Sequence, residues 1–154
     1  MILNLPCYRI WPPKEGSAEA EHEKEMNEMI VLDTDVVIEI LDKRSRKGDQ
    51  ALGRIQASNE SIGITAITLH ELLYGLEKYA KRPLSEIAQI PVLAYSKDDA
   101  VLSSKLELAA EKKGTPVRRA DAMIAAVALN RSTQLYTFDR HFRAFQDSGL
   151  QLFS

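Results

Sequence analysis

From residue 29 onward, short β-branched apolar runs alternate with longer stretches of helical period, and that alternation restricts the fold more than any other feature. Ile30-Val31-Leu32 reads as a buried strand ending at Asp33, and Ile62-Gly63-Ile64-Thr65 as a second. Pro91 to Tyr95 reads as a short extended piece, Gln134 to Phe138 as a further strand, and Gln151 to Phe153 as an edge strand. Between them the periodicity predicts helices over about Val36 to Leu41 and about Gln50 to Ala57. A third carries Leu69, Leu72, Leu73 and Leu76 on one face and ends near Lys81, before Pro83. Two more follow, Lys97 to Lys113, closed by Gly114 and Pro116, and Ala120 to Leu129. This order implies an α/β fold, a parallel sheet of about four to five strands flanked by helices on both faces.

The first 28 residues break the pattern. They hold Trp11-Pro12-Pro13, a Gly-Ser pair and the run Glu19 to Glu28, with too little apolar surface to offset the entropy of ordering. They are expected to be a flexible tail, or else Met29 is the true start; residues 29–154 form one globular domain. The tail carries three basic and six acidic groups, so of the net charge of −2 it holds −3 and the remainder +1. The remaining cations gather at Lys43, Arg44, Arg46, Lys47 and Arg54, and again at Lys112, Lys113, Arg118 and Arg119, a distribution that permits a nucleic-acid partner. One cysteine, Cys7, rules out an intramolecular disulfide framework, and three scattered histidines offer no zinc spacing. No apolar run approaches the roughly 20 residues of a membrane span, and no secretion signal opens the chain, so the expected location is cytoplasmic, without membrane association.

In a parallel sheet, the C-terminal ends of strands and the starts of the helices that follow share one edge. Asp33 and Asp139 end strands, while Glu71 and Asp121 fall in the first turns of predicted helices, so all four converge there. Four carboxylates at close quarters repel one another unless cations intervene. Hard oxygen donors without histidine or cysteine suit Mg²⁺, with Mn²⁺ as a substitute, and point to metal-dependent phosphodiester hydrolysis. Each acid also has a structural reading. Asp33 can cap the next helix, Thr68 and Glu71 have the spacing of a capping box, Asp121 can complement a helix dipole, and Asp139 can serve a turn. The functional reading rests on the four together.

Four segments resemble, in order, the motifs of the PIN-domain family: Ile30-Val-Leu-Asp-Thr-Asp-Val-Val-Ile, Ile67-Thr-Leu-His-Glu-Leu-Leu-Tyr-Gly-Leu-Glu-Lys, Ala120-Asp-Ala-Met-Ile-Ala-Ala-Val-Ala-Leu and Leu135-Tyr-Thr-Phe-Asp-Arg-His-Phe. Within that family the chain looks most like VapC-type toxins. The resemblance implies a metal-dependent endoribonuclease that acts on RNA, forms a homodimer and is held inactive by a cognate antitoxin protein. It assigns metal binding to Asp33, Glu71, Asp121 and Asp139, and supporting hydroxyls to Thr34 and Thr137. Leu72, Leu73, Leu76, Leu102 and Leu106 are the apolar helical positions from which a two-fold interface is expected. Asp35 departs from the family's usual Asn, and the first 28 residues have no counterpart in the typical toxin. Three alternatives stand beside this reading: a PIN-type RNA-processing nuclease outside any toxin–antitoxin pair, a catalytically silent PIN-like binding domain, and a haloacid dehalogenase-like phosphatase with Asp33 as nucleophile and Asp35 as general acid.

Overall fold

The structure is a computed structural model that describes residues 29–82 and 84–154; the expectations for residues 1–28 lie outside it. Strand β1 (Met29–Leu32) leads into helix α1 (Thr34–Val37), which continues as a π-helical turn over Ile38–Asp42. Helix α2 (Arg46–Ser58), strand β2 (Ser61–Thr65) and helix α3 (Ala66–Lys78) follow, then a 3₁₀ turn at Ile87–Gln89 and strand β3 (Val92–Leu93). Helices α4 (Lys97–Lys112) and α5 (Arg119–Asn130) come next, then strand β4 (Gln134–Tyr136), a 3₁₀ segment over Arg140–Ser148 and strand β5 (Gln151–Leu152).

The five strands form one parallel sheet in the order β3-β2-β1-β4-β5. The chain winds one way from β1 to β3 and the other way from β4 to β5, so right-handed crossovers place its helices on opposite faces. The side chains divide accordingly. Ile30 and Leu32 pack with α1, α2 and Leu72 of α3 on one face, while Val31 and Leu135 pack with Leu106 of α4, the apolar run of α5, Phe142 and Phe145 on the other. A strand buried on both sides must be apolar at every position, which is why Ile30, Val31 and Leu32 show no alternation.

Several local features depart from the sequence expectations. Helix α1 begins at Thr34 rather than Val36, because the Asp33 side chain accepts from the Thr34 N–H and caps it. The π-helical turn lets α2 approach closely: a Cβ on Gly48 would lie 2.1 Å from the Glu39 carbonyl oxygen, so only glycine fits there. Helix α3 is capped by Thr65, whose hydroxyl accepts from Thr68 N at 3.0 Å. The expected Thr68–Glu71 capping box does not form, and Glu71 sits in the second turn, not the first. Ser96 and Asp99 instead build the capping box of α4. Strand β4 stops at Tyr136, and the Arg140–Ser148 3₁₀ segment has no counterpart among the expected elements. Of the apolar residues expected at a two-fold interface, Leu72 and Leu106 belong to the two cores, and Leu76 and Leu102 pack against them. Leu73 is the one left exposed, at 48%.

Candidate active site

At the carboxyl edge of the sheet, β1 and β4 are adjacent although the chain reaches them by opposite windings, and ligands of open α/β sheets favour such a crevice. The ladder runs one bond past β1, with Asp33 N donating to Tyr136 O at 2.9 Å, so Asp33 is set against the end of β4. Thr137 Oγ1 donates to Asp33 Oδ2 at 2.7 Å and accepts from Asp139 N at 3.0 Å. Phe138 N donates to Asp35 Oδ2 at 3.0 Å. From the next helix over, Glu71 Oε2 accepts the Thr34 hydroxyl, tying α3 to the start of α1. Both hydroxyls singled out in the sequence, Thr34 and Thr137, therefore hold carboxylates.

A cleft of about 750 Å³ opens here, lined by Asp33, Thr34, Asp35, Glu71, Arg118 and Asp139, with Ile67, His70, Tyr74 and Met123 among its other walls. Three of the four expected acids thus face one space. Asp121, only 2% exposed, does not line the cleft; Arg118 does, and it grips Asp121 in a two-bond fork, Nε to Oδ2 at 3.0 Å and Nη2 to Oδ1 at 2.9 Å. The same Nη2 reaches Asp139 Oδ2 at 3.4 Å.

The electrostatics follow from this crowding. Burial pushes the Asp33 carboxyl up to about 7, with Asp35 and Asp121 adding repulsion that the bonds from Thr137 and Thr34 only partly offset. Burial also raises Asp35, against opposing bonds from Phe138 and Val36 and the charge of Lys47. At Asp139, burial acts in the same upward sense but is outweighed by the His141 backbone and ring and by Arg118, so the carboxyl lies below its ordinary range. Arg118 is held more firmly protonated by its bond to Asp121 and by the charges of Asp121, Glu71 and Asp139.

Asp35 and Arg118 line the cleft although the sequence reading did not assign them to the metal site, and His70 and Tyr74 on the same wall were not singled out either. Asp35 registered as a departure from a motif and as the general acid of the haloacid dehalogenase-like alternative, and Arg118 only as one of a run of surface cations. The i,i+3 spacing of Arg118 and Asp121 was the available signal. The chemistry of the donors fits a hard divalent ion: all are carboxylates, with hydroxyls as neighbours, and Asp35 Oδ1 is buried without a hydrogen-bond partner among the described residues. Their present spacing does not close on one point. Among the described residues no three His, Cys, Asp or Glu side chains form a group that could hold a metal; Thr34, Thr137 and Arg118 engage the carboxylates.

A family model of the PIN domain matches residues 30–147, more than half of the chain and all four acids. The chain belongs to the PIN-domain family. The five-stranded parallel sheet agrees, and the haloacid dehalogenase-like reading of Asp33 and Asp35 falls away. Among solved structures, the PIN domain is similar to a DNA-bound VapBC complex from Salmonella typhimurium, with a TM-score of 0.63 and 27% identity over 81% of this chain and 96% of that one. VapBC-5 from Mycobacterium tuberculosis, a member of the VapBC family of toxin-antitoxin systems, gives 0.59 and 27%, covering 81% and 95%. VapBC2 from Rickettsia felis, bound to a DNA fragment from its promoter, gives 0.64 at 22% identity, covering 81% and 97%, and speaks for the fold alone. No curated protein matches the sequence. The VapC-type resemblance read from the motifs and these structural neighbours point the same way.

Proposed function

We propose that this PIN domain is a divalent-metal-dependent endoribonuclease and the toxin of a toxin–antitoxin pair. The observation that carries the reading is the convergence of Asp33, Glu71 and Asp139 on one cleft, with Asp121 close enough to Asp33 to raise its pKa. Asp33, Glu71, Asp121 and Asp139 would hold Mg²⁺ or Mn²⁺. The chemistry such an ion supplies is activation of water for attack on phosphorus and neutralisation of charge on the departing oxygen.

The chain's own contribution is positioning. Thr137 and the Thr34 N–H each bond one oxygen of Asp33, which fixes the plane of its carboxylate, and the Thr34 hydroxyl holds one oxygen of Glu71. The cleft wall supports RNA as substrate. His70 and Tyr74 lie one helical turn apart with nearly parallel rings, 7° between planes, and Lys78 Nζ stands 5.5 Å from the Tyr74 ring centre. Exposed rings at the rim of a nuclease cleft suit stacking of unpaired bases.

The toxin assignment draws on the VapBC neighbours, and an antitoxin partner, a homodimer and a cytoplasmic location belong to it. Among the described residues no helix is long and apolar enough to cross a membrane. The test is incubation of purified protein with end-labelled single-stranded RNA and Mg²⁺ or Mn²⁺. Cleavage should leave 5′-phosphate and 3′-hydroxyl ends and should vanish in EDTA and in Asp33→Asn. Cyclic 2′,3′-phosphate ends, or full activity in EDTA, would overturn the assignment. Light scattering that gives a monomer at tens of micromolar removes the dimer.

A further inference from the structure

Asp121 is the most secluded of the four acids, with its side chain 3% exposed, and among the described residues the hydrogen bonds to its carboxylate come from Arg118 alone. Arg118 is the opposite case. Its side chain is 69% exposed, and it stands at the N-cap position of α5 without a capping bond of its own. One guanidinium nitrogen serves Asp121 Oδ1 and Asp139 Oδ2 together, and Asp139 keeps its other oxygen on the backbone and ring of His141. A positive group therefore already bridges two of the acids that the proposed function assigns to the metal.

We propose that Arg118 is a resident cation that a divalent ion must displace from Asp121 and Asp139, so that the arginine sets the metal affinity of the site. The inference rests on the metal-dependent reading above. Two physical points support exchange rather than coexistence. A guanidinium cannot yield by losing its proton at any physiological pH, so it leaves only by swinging away, and its exposed side chain has room to do so. Asp121, in contrast, cannot stand bare, because an uncompensated buried carboxylate is costly. Arginine departs as the ion arrives, and the charge on Asp121 is covered throughout. Arg118 lines the cleft, so its planar fork, once released, is at hand for a phosphodiester oxygen pair.

Mn²⁺ titration by calorimetry, comparing the full chain with Arg118→Gln and Asp121→Asn, tests the exchange. Removing one charge-assisted fork should let Arg118→Gln bind Mn²⁺ about ten-fold more tightly. It should also melt at lower temperature in EDTA and gain more from added Mn²⁺ than the parent does. Asp121→Asn should bind weakly. Should Arg118→Gln fold poorly, the unsubstituted protein carries the test: with labelled arginine, the Arg118 Nε–H resonance should shift when diamagnetic Mg²⁺ saturates the site. A parent that binds Mn²⁺ while Arg118→Gln binds no tighter, or an Arg118 resonance unmoved at saturation, overturns the exchange alone. A parent that takes up neither ion overturns the metal-dependent reading and the exchange with it.

Discussion

Thr137 Oγ1 and Asp33 Oδ2 are 2.7 Å apart although 104 residues separate them in the chain. The bond links the ends of the two strands that flank the crevice and opposes the burial that raises Asp33. Thr137→Val should therefore push the Asp33 carboxyl higher still and move the acid limb of the pH–rate profile to higher pH. Loss of a hydrogen bond to a charged group is worth about 1.5–3 kcal/mol, which places the fall in kcat at roughly ten-fold or more. Thr137→Ser should restore both. A Thr137→Val profile that coincides with the parent's would refute the positioning role.

The buried Asp33 also makes stability depend on pH. Its folded value of about 7 exceeds the unfolded 3.8, so between those limits the native protein binds more protons than the unfolded chain. Stability from this group is therefore greatest below 3.8, falls as pH rises toward 7, and stays at its lower level above. The cost at pH 8 amounts to a few kcal/mol. In EDTA, Asp33→Asn should melt higher than the parent at pH 8, with the advantage shrinking toward pH 4. Parallel melting curves for the two proteins across that range would contradict the account.

Far from the cleft, Asp99 joins α4 to the end of α5. Its buried carboxylate accepts from Ser96 N at 2.8 Å, Asn130 Nδ2 at 2.8 Å and Arg131 Nη1 at 3.1 Å. Burial works against its charge, but these bonds and Arg131 outweigh it and hold the group below its ordinary range. Asp99→Ala should cost about 3–5 kcal/mol by stranding Arg131 and removing the cap, or roughly 10 °C in melting temperature. Because the folded value is depressed, the stabilisation is complete above the unfolded pKa and is lost as pH falls through the folded one. Calorimetry showing a shift of only a degree or two would remove Asp99 from the structural framework.

Tyr74 is 57% exposed on the cleft wall, so its removal should leave the fold intact. A base stacked on it contributes about 1–3 kcal/mol, and Tyr74→Ala should raise KM for single-stranded RNA at least five-fold with kcat little changed. Tyr74→Phe should match the parent. An unchanged KM in Tyr74→Ala would dismiss the stacking platform.

The order of strands and helices was legible because periodicity is a property of neighbours: Ile30-Val31-Leu32 has no polar alternation, and Ala120 to Leu129 has one polar residue in ten. From that order alone, the shared sheet edge placed Asp33, Glu71, Asp121 and Asp139 near one another, though Asp121 lies behind Arg118 and not on the cleft wall. What the sequence could not resolve was which groups satisfy those acids. The Thr68–Glu71 spacing offered a local cap, yet Thr65 took it, and the Glu71 partner is Thr34, 37 residues away. Leu72 and Leu73 both fall within one broad apolar stripe, but one is core and the other exposed, since the face of α3 was set by packing against α1 and β2. Arg118 belongs to a cationic run by composition and to the acidic cleft by its reach to Asp139, 21 residues on. Local pattern determines elements because its forces act within a turn or two. Hydrogen-bond partners of buried charges are decided by distances of a few ångströms between segments far apart in the chain, and only the tertiary structure fixes those.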